Sequence, residues 1–247
     1  MSEVKSLGLI LLIAGFFRIF ILGLFYVPTA SMSATILEGD YIFSTHYNYG
    51  YSIYSLPFSP DIFKGRVLAN LPKRGDVVVM RPPHDMDLRY IKRLIGLPGE
   101  KVQIIDDVTY INDVPIKRVE MDSYTNEQGV SFNKFKETTP NGVSFFSYKM
   151  KNSNKQFGVD QSNFGPHLVE KDCYFFMGDN RDNSGDSRYQ LGNVPFRNFI
   201  SKGHFVLFSI KEPLWDSKAG FFEQIGRVWT WLSSIRFNRI YNSLYES

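Results

Sequence analysis

A long apolar run near the start of the sequence constrains this chain more than any other feature. Residues 7–27 carry a single charged side chain, Arg18. As a helix, a run of this length spans about 30 Å, which is the hydrocarbon thickness of a bilayer. A central arginine costs roughly 2.5–3.5 kcal/mol on insertion, which the surrounding Leu, Ile and Phe side chains offset. The run therefore predicts an uncleaved transmembrane anchor helix, and a cleaved signal peptide is the alternative.

The remainder of the chain predicts a mostly β protein, because short strand patterns alternate with turn residues such as Asp106-Asp107 and Asn112-Asp113. Residues 118–167 are richer in Asn, Ser, Lys and Gln and predict an inserted β-rich lobe. The predicted organisation is a short cytoplasmic N-terminus (1–6), the anchor (7–27), a first core part (28–117), the inserted lobe (118–167), a second core part (168–210) and a tail (211–247). In the tail, Val228, Trp231, Leu232 and Ile235 recur at helical spacing and predict an amphipathic helix, with core packing, membrane surface and partner contact all left open.

Composition limits the function classes. The net charge is +3, from 28 basic and 25 acidic residues, which predicts no nucleic-acid partner. Cys173 is the single cysteine, so the chain can form neither an internal disulfide nor a cysteine-based zinc site.

Ser31 follows the apolar run directly and is a candidate nucleophile at the membrane surface, although a plain helix exit explains the same residues. A nucleophilic serine needs a base. The four histidines (His46, His84, His167 and His204) lie in no motif that pairs them with a serine, and the chain has no G-x-S-x-G elbow. A Ser-His arrangement stays open but has no positive support.

Lysine is the other candidate base, since burial among apolar groups lowers its pKa. In "RYIKRLIG", strand alternation places Lys92 on one face with Tyr90 and Leu94, and Arg93 on the other face. The pattern is also compatible with a lysine at a sheet edge.

The polar segment "GDNRDNSGDSR", residues 178–188, resembles a calcium loop at first sight. Counted from Asn180, however, its twelfth position is Leu191, where an EF-hand needs a bidentate glutamate. We interpret the segment as a tight polar turn in which Asp186 and Arg188 pair and Ser184 is presented to a neighbouring group.

Four motifs occur in a specific order: "SMSATILEGD", "RGDVVV", "YIKRLIGLPGE" and "GDNRDNSGDSR". Together with the preceding anchor they resemble the motif set of bacterial type I signal peptidases (leader peptidases), membrane-anchored Ser-Lys endoproteases. The resemblance implies a signal-peptidase-like antiparallel β catalytic domain. One departure is Ala34, where the family usually has proline, which leaves the turn after the serine less rigid.

Residue by residue, the resemblance implies a role for each matching position: Ser31 as nucleophile, Lys92 as general base, Thr29 and the Ser31 N–H as oxyanion donors, Ser184 as the residue that hydrogen-bonds and orients the lysine, and Asp186 with Arg188 as the pair that supports its loop. The implied activity is removal of signal peptides from secreted precursors after small residues of the Ala-x-Ala type, without metal or organic cofactor. We expect activity to fall in acid as Lys92 becomes protonated.

The implied location is the bacterial inner membrane, with a single pass, a cytoplasmic N-terminus and the catalytic domain outside. The expected partners are precursor proteins and membrane lipid, and a monomer suffices. Two alternatives remain: a Ser-Lys self-cleaving regulator, which needs an upstream DNA-binding domain, and a non-catalytic membrane-anchored β-rich scaffold.

Overall fold

The computed structural model describes residues 2–126, 129–151, 162–211 and 233–246, and within these ranges the chain is mostly β, as predicted. The helix α1 covers Ser2–Phe16 and continues as a π-helical turn, Phe17–Ile21. The strands are β1 Leu22–Tyr26, β2 Asp40–Thr45, β3 Val77–Met80, β4 Tyr90–Gly96, β5 Lys101–Ile105, β6 Val108–Ile111, β7 Val114–Pro115, β8 Lys117–Thr125, β9 Ser131–Thr138, β10 Ser144–Met150, β11 Phe164–Leu168, β12 Cys173–Met177, β13 Val194–Pro195 and β14 Phe199–Ser209. Short 3-10 helices cover Ala30–Met32, Ile53–Ser55, Phe196–Asn198 and Phe237–Arg239.

The described strands form three antiparallel sheets. The largest has seven strands in the order β1-β2-β14-β3-β4-β12-β13. The second is the three-stranded sheet β10-β9-β8, and the third is the four-stranded sheet β11-β5-β6-β7. The seven-stranded sheet places β3 and β4 near its middle, where all four residues of Val77–Met80 are buried.

Local sequence explains the four-stranded sheet well. Asp106 and Asp107 adopt φ angles of 47° and 68°, and Asn112 and Asp113 adopt 50° and 68°. Two consecutive residues with positive φ give the two-residue turns whose twist suits a β-hairpin, and Asp and Asn tolerate that conformation better than most residues. The predicted turns after β5 and β6 are therefore confirmed.

The predicted helix over residues 7–27 is too long at its C-terminal end, because the helical conformation stops at Ile21. The α-helix ends at Phe16, and Leu22–Tyr26 forms the edge strand β1, which pairs with β2 from Leu22↔Thr45 to Tyr26↔Tyr41. Hydropathy did not distinguish the two, because an apolar strand and an apolar helix share a composition. No helix within the described ranges is both long and apolar enough to cross a membrane.

Of the tail, the structure describes residues 211 and 233–246. Val228, Trp231 and Leu232 lie outside the described residues, so the predicted amphipathic helix is not tested there. Ile235 forms an isolated antiparallel bridge with Ile210. Further along, Leu244 is buried in a core cluster that also contains Met32. This end of the chain therefore packs against the segment that follows β1.

Candidate active site

Ser31 lies in the 3-10 turn Ala30–Met32. The turn is closed by hydrogen bonds from Ser33 N to Ala30 O (3.1 Å) and from Ile36 N to Met32 O (2.7 Å). The Met32 side chain is buried in a core cluster with Ile36, which fixes the turn on the sheet while Ser31 stays half-buried.

Lys92, in the central strand β4, meets that turn. Its Nζ lies 2.7 Å from Ser31 Oγ, and a weaker contact of 3.3 Å joins Nζ to the Ile91 carbonyl. Lys92 is 5% exposed. This burial agrees with the position that strand alternation predicts and argues against a lysine at a sheet edge. The structure thus brings together the two predicted residues across 61 positions of sequence.

Burial sets the electrostatics of Lys92. Desolvation lowers its pKa from 10.5 to about 8, against the opposing influence of the carboxylates of Asp186 and then Asp179. No ion pair forms at Lys92 among the described residues. With a pKa of about 8, about one Lys92 side chain in ten is neutral at pH 7 and about half are neutral at pH 8. A neutral amine can accept a proton from the serine hydroxyl.

The polar segment 178–188 also holds the serine turn in place, through hydrogen bonds to the backbone of the turn. Asn180 N donates to Ser31 O (3.0 Å), and Asn180 Nδ2 donates to Ala30 O (3.1 Å). Gly178 lies so close that a Cβ there would overlap Ser31 O and Ser184 Oγ. The segment therefore positions the backbone of Ser31 directly.

Asp186 and Arg188 form the predicted pair. Arg188 donates to both carboxylate oxygens, each at 2.8 Å, and both side chains are buried. Burial alone would raise the pKa of Asp186, but the charge and hydrogen bonds of Arg188, together with smaller contributions from Gly178 and Ser184, lower the net pKa. Asp186 also accepts from Gly178 N (2.9 Å), so the charged pair fixes the bend of the loop.

Ser184 departs from its predicted contact. Its side chain is buried beside Gly178. In the described part of the chain, the hydrogen-bond partners of Lys92 Nζ are Ser31 and Ile91, and Ser184 is not among them. The expected hydrogen bond to the lysine is thus not observed, because the hydroxyl lies on the Gly178 side of the loop.

Arg93 and Asp179 form a clamp that the sequence analysis did not identify. Arg93 is fully buried and donates from Nε and Nη2 to the two carboxylate oxygens of Asp179, at 2.8 and 2.7 Å. Thr35 Oγ1 donates to the same carboxylate at 2.7 Å. Arg93 Nη2 also donates to Leu244 O at 3.2 Å. The clamp joins β4, the polar segment, the serine turn and the tail. In the sequence, the signal for this clamp was a second charged residue next to Lys92, which strand alternation places on the opposite face of β4.

Thr29 precedes the serine turn in an extended conformation, with φ −136° and ψ 153°. It is exposed, and its side chain does not cap the turn. Thr29 and Ser31 line one cavity of about 560 Å³, whose walls include Leu24–Val27 of the β1 region and Leu88–Ile91. We call it the β1 groove. Its walls are mostly apolar.

The histidines have other surroundings. His46 is buried, and desolvation lowers its pKa to about 4. His204 Nε2 lies 2.7 Å from Thr45 Oγ1, and His167 Nε2 lies 3.0 Å from Asn193 Oδ1. No histidine hydrogen-bonds to Ser31 within the described ranges. The same ranges contain no cluster of three or more His, Cys, Asp or Glu arranged to hold a metal ion.

Comparison with known proteins agrees with the motif set. The family described as signal peptidase, peptidase S26, matches residues 1–208. The chain belongs to this family. Signal peptidase I of Rickettsia typhi (strain ATCC VR-144 / Wilmington) is 53% identical over 251 residues, covering 99% of this chain and 94% of the relative. Signal peptidase I of Rickettsia bellii (strain OSU 85-389) is 54% identical over 248 residues, covering 99% and 86%. A crystal structure of a signal peptidase I from Enterococcus faecalis V583 is 28% identical, covers 54% of this chain and 97% of that one, and aligns with a TM-score of 0.34.

Proposed function

We propose that this chain is a membrane-bound serine endopeptidase that removes N-terminal signal peptides from precursor proteins, with Ser31 as nucleophile and Lys92 as general base. The observation that carries the proposal is the 2.7 Å contact between Lys92 Nζ and Ser31 Oγ. Membership of the signal peptidase family supports the substrate class.

The proton transfers and bond changes need only these two side chains and water. Neutral Lys92 accepts the Ser31 hydroxyl proton as Oγ attacks the carbonyl carbon before the scissile bond. The C–N bond then breaks, Lys92 returns the proton to the leaving amine, and an acyl ester remains on Ser31. A water gives its proton to Lys92 and attacks the ester. The proton then returns to Ser31 Oγ as the signal peptide leaves with its new carboxyl end.

An oxyanion forms on the carbonyl oxygen of the substrate when Ser31 Oγ attacks. Thr29 Oγ1 and the Ser31 N–H stabilise it by donating hydrogen bonds. The exposed position of Thr29, at the wall of the groove that also contains Ser31, supports this role. A single donor of this kind contributes on the order of 3 kcal/mol. Asp186 and Arg188 support the loop, and Ser184 acts on Lys92 through the packing of that loop rather than through a direct hydrogen bond.

The signal half of the substrate occupies the β1 groove. The apolar walls suit the small apolar side chains of an Ala-x-Ala site. β1 follows α1 and its π-helical turn directly, so this groove lies next to the apolar N-terminal segment. A signal peptide held in a membrane beside that segment would reach Ser31 from this side.

The apolar N-terminal segment, which α1 begins, anchors the protein in the bacterial inner membrane, in a single pass with a cytoplasmic N-terminus and the catalytic domain outside. Six residues of α1 support insertion, because they expose large apolar side chains that lipid would cover: Leu7, Leu9, Ile10, Leu11, Leu12 and Ile13. Arg18, at the end of this stretch, can reach the polar interface. The enzyme works as a monomer. Its substrates are precursor proteins, its other partner is the membrane lipid around its anchor, and it has no nucleic-acid partner.

The decisive experiment is cleavage of a detergent-solubilised precursor with an Ala-x-Ala site. We expect Ser31→Ala and Lys92→Ala to lose activity by about 10³-fold or more while remaining folded. Ser123→Ala and Lys171→Ala, which replace exposed residues of the same types, should keep full activity. For the wild type, kcat/KM should rise with pH and reach half its maximum near pH 8, the pKa of Lys92.

Two results would overturn the assignment in different ways. If Lys92→Ala cleaves as well as the wild type, or the rate is flat from about pH 5 to 9, the base lies elsewhere. If the wild type does not cleave the precursor at all, the scaffold alternative becomes the better one.

A further inference from the structure

A second groove lies on the other side of the serine turn. It has a volume of about 540 Å³ and shares Ala30 and Asn183 with the β1 groove. The two grooves therefore meet at the turn that carries Ser31. We call the second one the lobe groove, since Tyr124, Phe132 and Tyr148 from the three-stranded sheet form one of its walls.

The aromatic wall is a stacked platform. Tyr124 and Tyr148 stack with ring centroids 5.3 Å apart and planes 14° apart, and Phe132 stacks on Tyr148 at 5.6 Å. Phe132 and Tyr148 are buried, whereas Tyr124 is 39% exposed. Tyr124 therefore presents the accessible part of the platform to the groove.

Backbone hydrogen bonds fix this platform relative to the serine. Tyr148 N donates to Asp179 O (2.8 Å), and Arg181 N donates to Tyr148 O (2.9 Å). The same segment donates from Asn180 N to Ser31 O. The position of the platform is thus set by the loop that sets the position of the nucleophile, which is the arrangement a substrate subsite requires.

The two grooves differ in chemistry. The β1 groove is lined mainly by apolar side chains, whereas the lobe groove combines its aromatic wall with polar and charged groups, among them Glu38, Asn126, Asn180, Lys211 and Arg236. A signal peptide is apolar and a mature protein begins as an ordinary polar chain. This contrast assigns the lobe groove to the segment that follows the scissile bond.

We propose that the lobe groove binds the first residues of the mature protein in extended form, and that the Tyr124–Tyr148 platform accepts an aromatic or branched apolar side chain among them. The inference rests on the proposed function, because it assumes that a peptide runs across Ser31. It adds a specificity for the mature side of the substrate, carried by the three-stranded sheet.

The test uses peptides with one constant signal half. In the long series, a single phenylalanine is moved along an otherwise Gly-Ser mature segment. The short substrate ends one residue after the scissile bond. For the wild type we expect one phenylalanine position to lower KM by about five- to tenfold with kcat unchanged, because an aromatic pair adds binding that is equal in ground and transition states.

Variants then separate binding from structure. Tyr124→Ala should abolish the phenylalanine preference while cleaving the short substrate at the wild-type rate. Tyr124→Phe should retain the preference, since it keeps the ring. Tyr110→Ala, in the four-stranded sheet away from both grooves, should behave as wild type.

Three outcomes would overturn the inference. Equal KM values for every phenylalanine position would show that the platform binds no substrate. An equal loss on the short and long substrates in Tyr124→Ala would make Tyr124 purely structural. Failure of the wild type to cleave any peptide, the short one included, would remove the proposed function itself.

Discussion

Each face of strand β4 buries a cationic side chain, and the two side chains differ in their contact partners and in the direction of their pKa shifts. Lys92 and Arg93 are neighbours in sequence and both are buried. Arg93 meets the Asp179 carboxylate in a bidentate pair, whereas Lys92 meets a serine hydroxyl. Desolvation alone would lower the pKa of both groups. At Arg93 desolvation is opposed by the charge and the hydrogen bonds of Asp179, with further contributions from Tyr245 and Glu137, and together these raise the pKa. At Lys92 desolvation prevails and the pKa falls to about 8.

The difference shows how one strand can carry structure on one face and chemistry on the other. A buried cation that is paired and hydrogen-bonded stays charged and holds elements together. A buried cation without an ion-pair partner is driven towards its neutral form, and for lysine that form is a base. What distinguishes the faces is where the carboxylates lie, and each prediction below changes one side of this comparison.

The largest stability effect is expected on the Arg93 face. Asp179→Asn keeps the shape of the side chain but removes the charge that compensates Arg93. We expect the free energy of unfolding to fall by about 3–5 kcal/mol, the usual result of leaving one partner of a buried pair uncompensated. Denaturant unfolding in detergent measures it.

The exposed pair of Lys101 and Asp113 provides the matched control. Its atoms are 2.6 Å apart, but the two side chains are 40% and 69% exposed. Because solvent screens such a pair, Asp113→Asn should leave stability nearly unchanged. If the two Asp→Asn variants unfold alike, the Arg93 clamp does not hold the site together.

An opposite and smaller effect is expected on the Lys92 face. The pKa of Lys92 is about 8 in the folded protein and 10.5 for an unperturbed lysine. Between these values the unfolded chain binds more protons, so the free energy of unfolding rises with pH; below pH 8 the full penalty of burying the charge remains. Lys92→Met removes that penalty and should stabilise the protein at pH 7 by about 1–3 kcal/mol while abolishing cleavage.

This gain should shrink as the pH rises from about 8 to about 10.5. The control is Lys171→Met at an exposed position, which should not show this pH dependence. A Lys92→Met variant that is less stable than wild type at pH 7 would mean that burying the charge of Lys92 does not destabilise the folded protein. The contrast drawn between the two faces of β4 would then be wrong.

The sequence predicts which residues lie on each face of β4 better than it predicts which residues they contact. Strand alternation and motif order placed Lys92 and Ser31 together, and the structure has them in contact. Alternation also put Arg93 on the other face. Its partner, Asp179, lies 86 residues away and could not be found from local pattern. The role of each residue in catalysis stays a prediction.

Other features depend on long-range contacts that hydropathy does not report. Leu22–Tyr26 forms a strand because its backbone pairs with β2 at the edge of the sheet. The tail docks through Arg239, which donates to Asp40 and to Thr35 O. Ser184 was expected on Lys92 but lies beside Gly178, because the packing of the loop decides its position. Local sequence predicted elements and faces, while tertiary pairing decided edges and partners.

The smallest effect is a shift in the pH profile, and it tests the Lys92 face most directly. Asp186 raises the pKa of Lys92 more than Asp179 does. Asp186→Asn removes that influence, so the lysine should lose its proton more readily. We expect the rise of kcat/KM to move to lower pH by up to about one unit, whatever happens to the maximal rate.

Asp182→Asn is the matched change in the same loop. Asp182 pairs with Lys149 at 3.1 Å and is not among the charges that shift Lys92. Its replacement can lower activity by disturbing the loop, but the pH midpoint should stay near 8. A midpoint that moves equally in both variants, or in neither, would show that the rise of kcat/KM does not report a lysine tuned by Asp186. A shift confined to Asp186→Asn would tie the pH dependence of cleavage to Lys92.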